Sequence, residues 1–395
     1  MAIKIIHILH HSPSWITRNI EEDIFDGWHV RTAKAIQDLA IKNCKIECWL
    51  PEKTKFKERQ IEKDAITYRV FPSFPINYGR EISLPLIKAL KEELSNPILL
   101  HIHGIFNYTT YLIAAFFPSA PIISQHYGDC PPLNLIQRRA KLFTIFPLLI
   151  TEQLIAQKIF KNIGFFFCLT KTAQDSLKRM GVKNNVTLKD IGIDLNMFTP
   201  GEKNEARKVL NLPLDSKIIL HVGKLNRYKG GDSVISAFNK LKEKYDISCV
   251  IVGASQSDEL YKQAINNGVI VFPRQPHNNL NLFYRAADVY VYPGNKTVNA
   301  WAGIGVSTCE AIACNTPVVS ATLLHFPDDY KKVGFYATNT EEIVERVDYI
   351  FQHQEEFING QKIAQKYYNW ENIASSTYRI YQQLFYKYYK IKLER

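Results

Sequence analysis

Short apolar runs alternate along this chain with longer stretches of helical spacing. Ile3–Leu9 predicts a strand, and Val30–Asn43 predicts a helix with Ala33, Ile36, Leu39 and Ala40 on one face. Further strands are predicted at Lys45–Leu50, Ile66–Phe71, Pro97–His103, Pro121–Gln125 and Gly164–Leu169. Apolar runs joined by helical patterns specify a parallel sheet covered by helices. The series restarts at Ser216. Lys217–Val222 predicts a strand, a basic loop follows, and a helix is predicted from Asp232 to Tyr245. Strands then recur at Ile247–Val252, Val269–Phe272, Val289–Tyr292 and Pro317–Ser320. The turn signal Pro200-Gly201 marks a join. The expected architecture is α/β, with two Rossmann-like doubly wound domains facing a cleft, the first over residues 1–198 and the second over 199–370. A length of 395 residues fits two cores better than one.

Composition narrows the picture. With 46% hydrophobic and 22% charged residues the chain is globular, and wholesale disorder is excluded. A formal net charge of +11 favours polyanionic partners, whether nucleic acid, an acidic membrane surface or phosphorylated small molecules. The basic residues are spread without a stripe, which argues against nucleic acid. Seven scattered cysteines form no disulfide framework and point to a reducing, cytoplasmic compartment; Cys44 and Cys48 read as core. The opening residues read as a strand rather than a secretion signal. No apolar run reaches the roughly 18 residues of a membrane span.

The candidate chemistry sits at predicted strand ends, where open α/β sheets bind ligands. Gly303-Ile304-Gly305-Val306 opens a helix whose first-turn amides and dipole suit a phosphate. Glu310 lies one turn into that helix. It has two readings: a carboxylate accepting from a ribose diol, or the second half of a Ser307-x-x-Glu310 capping box. After Lys217–Val222 comes Gly223-Lys224-Leu225-Asn226-Arg227-Tyr228-Lys229-Gly230, with three cations within six positions, suited to a diphosphate or to solvent. His126 follows a strand, where an imidazole can meet a sugar hydroxyl or developing charge, or simply be a satisfied, half-buried histidine. His101 and His103 share one strand face, but no third ligand stands at recognisable spacing, so no metal is expected. Residues 131–164, with Arg138, Arg139, Lys141, Lys158 and Lys161, and the aromatic and basic tail from Phe385 read equally as bilayer-facing or as ordinary core helices.

These motifs resemble the GT-B glycosyltransferases of family 4, most strongly from Lys217 to Trp370. Gly223-Lys224-Leu225 and Lys229-Gly230 resemble the family's Gly-Arg-Leu and Lys-Gly loop, Arg285–Pro293 the strand that leads to the donor site, and Gly303–Pro317 its Glu-x7-Glu segment. The resemblance places Lys224, Lys229, Gly27, Gly303, Ile304, Gly305 and Val306 around the donor diphosphate. It places Gln275 and Glu310 at the base and ribose. His126 would meet the transferred sugar, with Glu310 as its catalytic partner. Trp28, His29 and His103 would lie on the acceptor side. Asp26-Gly27 resembles the family's first glycine loop, Ile191–Pro200 the passage before the linker, and Asn369-Trp370-Glu371 the start of a final helix, residues 371–395, that crosses back to the first domain. The chain departs from the pattern at Ala302, where the family has its first Glu, at Asn315 in place of Gly, and at Leu323–Pro327 in place of a Gly-Gly turn. Asn299 or Trp301 would then serve in place of that Glu.

The resemblance implies a retaining, metal-independent hexosyltransferase. It would move a sugar from a UDP-, GDP- or other nucleoside-diphosphate sugar to a saccharide or lipid-linked saccharide acceptor in polysaccharide or glycan assembly. No cofactor and no nucleic-acid partner are implied. The expected place is cytoplasmic, with peripheral contact at the inner face of the membrane. The alternatives are a non-catalytic GT-B nucleotide-binding module, motivated by Ala302, and another GT-B enzyme such as a sugar-nucleotide epimerase.

Overall fold

Among the described residues, sixteen strands gather into a mostly parallel eight-stranded sheet, a parallel six-stranded sheet and one hairpin. In this computed structural model the described residues are 3–10, 24–25, 27–53, 57–77, 80–135, 145–182, 185–294, 301, 303, 305–325 and 328–395. In chain order the strands are β1 (Ile3–Leu9), β2 (Cys44–Glu52), β3 (Arg59–Lys63), β4 (Ile66–Pro72), β5 (Phe74–Asn77), β6 (Arg80–Ile82), β7 (Ile98–His103), β8 (Ile122–Gln125), β9 (Phe165–Cys168) and β10 (Val186–Leu188). They continue as β11 (Lys217–Val222), β12 (Ile247–Val252), β13 (Ile270–Phe272), β14 (Val289–Tyr292), β15 (Val318–Ser320) and β16 (Gly334–Phe335).

The first unit comprises Met1–Lys189 with Trp370–Arg395. Its sheet has the order β10-β9-β8-β7-β1-β2-β4-β3, parallel throughout except for β3, which runs antiparallel to β4. Both neighbours of β1 depart from it in opposite directions along the sheet, so the topological switch lies between β1 and β7. The helix Trp28–Gln37 and the closing helix Trp370–Tyr389 cover one face; Tyr378, Tyr381 and Phe385 pack there with Ile3, Ile5 and Val30. Of the aromatic and basic tail, Phe385 is core, whereas Tyr386 is 51% exposed. The first helix ends at Gln37, short of the predicted Asn43, because Ala40 and Asn43 turn into the left-handed region (φ 52 and 54) to start β2.

The second unit is Asp190–Asn369, with sheet order β13-β12-β11-β14-β15-β16, all parallel. Alternate residues of β11 and β12 feed two different clusters: Ile218, Leu220, Val250 and Val252 on one face, Ile219, Cys249 and Ile251 on the other. Burial on both faces is why these strands read as unbroken apolar runs. The chain enters this unit at Asp190, nine residues before the expected boundary. Ile193 donates its N–H to Tyr368 O at 3.0 Å, and Phe198 is fully buried in the second core. All seven cysteines are free thiols, six of them buried. Among the described residues no helix is long and apolar enough to cross a membrane.

Candidate functional site

In the second unit the strand order reverses between β11 and β14, and both diphosphate motifs leave from the carboxyl ends of these neighbours. Gly223 follows β11 with φ 139 and Gly230 ends the loop with φ 76, backbone that side chains rarely adopt. A Cβ on Gly230 would lie 2.5 Å from Pro293 Cγ, and Gly294 N donates to Lys229 O at 3.3 Å. The basic loop and the chain after β14 are thus in contact.

The three loop cations have different fates. Arg227 turns outward to Glu259, its Nε donating to Oε1 at 2.8 Å. Among the described residues no carboxylate pairs with Lys224 or Lys229. Lys229 is half-buried, and its pKa falls below the ordinary lysine value, first from burial and then from the charge of Lys224. Two like charges beside glycine-lined backbone, with no acid among the described residues between them, would suit an anion.

The helix Val306–Ala313 starts at Gly305, and its first intrahelical bonds run from the Thr308 and Cys309 amides to Gly305 O. The first-turn amides before these are the ones a phosphate would take. Gly303 is left-handed (φ 71). Ile304 and Ala302 lie outside the described residues, as do Asn299 and Asp26. Trp301 is buried.

The capping-box reading of Glu310 is overturned. Ser307 is not the cap, and its Oγ accepts instead from the Tyr290 hydroxyl at 2.8 Å. The Glu310 carboxylate is 2% exposed and accepts from His277 Nε2 at 2.6 Å and from the Tyr284 hydroxyl at 2.9 Å, one bond to each oxygen. Each oxygen keeps a second lone pair. Tyr284 is in turn fixed by Thr316, whose hydroxyl donates to Tyr284 O at 2.7 Å. Asn315 stands in the left-handed position after this helix (φ 58), a conformation Asn tolerates better than most residues, which accounts for its replacing Gly. Gln275 begins the turn that delivers His277, its Nε2 donating to Pro273 O at 3.1 Å. Sequence reasoning singled out Gln275 and passed over His277 and Tyr284. The usable signal was a lone histidine after Pro276, two positions on.

In the first unit, Trp28, His29 and His103 come together near the β1–β7 switch. Trp28 stacks on Tyr127 with ring centroids 5.4 Å apart, and the Tyr127 hydroxyl meets His103 Nδ1 at 3.2 Å. His29 lies edge-on to His103 at 5.9 Å. Gly27 precedes them as the N-cap of Trp28–Gln37. His126 is fully buried just after β8, its Nε2 donating to Asp129 O at 2.7 Å. Burial alone would raise the Asp129 pKa. His126, His10 and the amides of Phe106 and Ile105 hold it below the ordinary carboxylate value instead. That carboxylate ties the loop after β7 to the loop after β8.

Comparison with known proteins bears on the second unit most directly. Residues 202–367 match the family described as Glycosyl transferases group 1. The D-inositol 3-phosphate glycosyltransferase of Mycolicibacterium smegmatis is 31% identical over 176 residues, covering 39% of this chain and 39% of that protein. That of Mycobacterium leprae is 32% identical over 146 residues, 34% of this chain and 32% of that protein. The matches therefore span well under half the length of either relative. Over nearly the whole chain the fold is similar to sucrose-phosphate synthase from Thermosynechococcus elongatus, with TM-score 0.72 at 17% identity and coverage of 98% and 99%. It is also similar to Anabaena HepE in complex with UDP, with TM-score 0.68 at 14% identity and coverage of 97% and 100%. Residues 202–367 thus match the group 1 glycosyl transferases, and the chain has the GT-B fold of two Rossmann-like units.

Proposed function

We propose that the chain is a retaining glycosyltransferase. It transfers a hexosyl group from a nucleoside-diphosphate sugar to a saccharide or lipid-linked saccharide, with no divalent metal on the diphosphate. The observation that carries this reading is the Lys224–Lys229 pair, two cations with no counter-ion among the described residues, at the switch point of a group 1 domain. A departing diphosphate neutralised by lysines and helix amides needs no metal, and charge stabilisation of this kind accelerates transfer. The D-inositol 3-phosphate glycosyltransferases, and the HepE structures holding UDP and UDP-glucose, are what a nucleotide-sugar donor would lead one to expect among similar proteins. Glu310 holds the ribose and Gln275 lies towards the base. Gly27 lies towards the diphosphate, and Trp28, His29 and His126 of the first unit serve sugar and acceptor.

The lipid part of the acceptor draws support from an apolar cavity of about 480 Å³ in the first unit, lined by Ile82, Tyr111, Phe116, Leu148 and Ile155 among others. Leu148 and Leu154 of the helix Phe146–Ile159 are 66% and 55% exposed, with Lys158 and Lys161 at its end. A large exposed apolar face beside cations suits peripheral contact with an anionic bilayer from the cytoplasmic side. Arg138, Arg139 and Lys141 lie outside the described residues.

The test is a panel of UDP- and GDP-sugars, read as nucleoside diphosphate release with and without a lipid extract of the source cells, Mg²⁺ and Mn²⁺ omitted. Release that depends on the extract, with the anomeric configuration kept in the product, supports the proposal. Nucleotide binding without release indicates a non-catalytic module, and a changed sugar on an intact nucleotide indicates an epimerase. Glu310→Ala is expected to weaken UDP or GDP binding about 10- to 100-fold, the worth of charge-assisted hydrogen bonds to a diol. Unchanged affinity in calorimetry would remove Glu310 from the ribose.

A further inference from the structure

We propose that His7, His101 and His103 of the first unit hold one divalent transition-metal ion of the zinc class, which ties β1 to β7 beneath the closing helix. The sequence supplies only the His-x-His pair of β7. The third imidazole comes from the sheet register. His7 of β1 is paired with His101 of β7, and Leu9 with His103, so all three histidines share one face of neighbouring parallel strands. One ring nitrogen from each lies within 4.8 Å of the others, and all three side chains are fully buried. His7 Nδ1 and His103 Nε2 are 3.0 Å apart. Two ligands of a tetrahedral zinc, at Zn–N of about 2.0–2.1 Å, are separated by roughly 3.3 Å, so little movement is needed.

The surroundings are those of ligating histidines. A tyrosine hydroxyl sits on the Nδ1 of each β7 histidine: Tyr381 on His101 at 2.5 Å and Tyr127 on His103 at 3.2 Å. Partners of that kind fix ring orientation and leave Nε2 for the ion. His7 Nε2 is buried without a partner. So are both nitrogens of His29, whose ring lies 5.9 Å from that of His103. Native cores seldom leave buried polar atoms unpaired, and here three stand within one small cluster. An ion taking His7 Nδ1 with the Nε2 atoms of His101 and His103 replaces the His7–His103 hydrogen bond, and a water completes a fourth position. A donor set of imidazoles selects zinc, copper or nickel over magnesium and calcium. The site lies wholly within the first unit, and the ion's part there is structural.

The test uses the full chain without a histidine tag. Protein saturated with Zn²⁺ and dialysed is expected to retain one zinc per chain by elemental analysis and to melt at a higher temperature than chelator-stripped protein. Co²⁺ added to stripped protein is expected to give the intense visible d–d band of tetrahedral coordination. His7→Gln and His101→Gln should lose the metal and the band, whereas His353→Gln keeps both. If either triad variant fails to fold, the wild-type zinc content and cobalt spectrum still decide. Less than a tenth of an equivalent of zinc with an unchanged melting temperature overturns the proposal, as does a cobalt band that survives in folded His101→Gln.

Discussion

Replacing Lys229 with alanine is expected to lower kcat/KM for the sugar nucleotide about 100- to 1000-fold, the loss seen when one preorganised charge-stabilising group is removed. The same change should leave the unliganded protein at least as stable as before. Lys229 is half-buried beside Lys224, with no acid opposite among the described residues, so in the free protein its charge is a liability. A donor diphosphate relieves it. The pH dependence has a definite sign. The Lys229 pKa is lower in the folded than in the unfolded chain, so the unfolded state binds more protons between the two values. The penalty is complete below the folded pKa and fades as pH rises towards the unfolded one. Lys229→Ala should therefore gain most in melting temperature at neutral pH and least in strong alkali. Initial rates of diphosphate release and thermal melts of the two proteins check both halves. A folded variant that turns over at the wild-type rate removes this lysine from the donor site.

What the sequence shows of this protein follows from how each feature is encoded. Strands buried on both faces appear as continuous apolar runs, so β1, β7, β11, β12 and β14 are legible to within a residue or two. The loop from Gly223 to Gly230 is equally legible, because glycine spacing and charge lie in one stretch of chain. Features made by register are not. His277 reaches Glu310 across 33 positions, and His7 reaches His103 across 96. Neither separation has a local signature. Locally, Ser307-x-x-Glu310 is a good capping box, and it loses because Gly305 already caps the helix while Tyr284 and His277 claim the carboxylate. The antiparallel β3 was also missed, its exposed Arg59–Lys63 carrying no apolar run to betray it. The passage between the units at Asp190 has no local signature either. A Pro-Gly pair marks a turn, but the change of core occurs where Ile193 bonds to Tyr368, which only the tertiary structure fixes.

Asp288→Ala is expected to destabilise the second unit by about 3–5 kcal/mol, the cost of leaving a buried charge without its partner. Asp288 is 4% exposed at the start of β14. Its Oδ2 accepts from the Ile218 amide and from Arg207 Nη2, both at 2.7 Å, and its Oδ1 accepts from Lys203 Nζ at 2.6 Å. Arg207 is itself 3% exposed and spends its other donors on the carbonyls of Ala286, Leu214 and Ser216. Without Asp288 that guanidinium stays buried and uncompensated, and the first amide of β11 after Lys217 loses its acceptor. Domains are stable by only about 5–15 kcal/mol, so the variant is expected to be partly unfolded near body temperature. Burial alone would raise the Asp288 pKa, yet Lys203, the Ile218 amide and Arg207 together hold it below the ordinary carboxylate value. Its contribution is therefore full above the unfolded carboxylate pKa and is lost as pH falls through the folded one. Urea unfolding of wild type and variant should show a wide gap at neutral pH that narrows progressively in acid. A gap that stays constant across that range would mean the carboxylate charge is not what secures the strand. Because β14 leads into Pro293 and Gly294, and Gly294 bonds to Lys229, loosening this anchor should also weaken nucleotide binding in the fraction that remains folded.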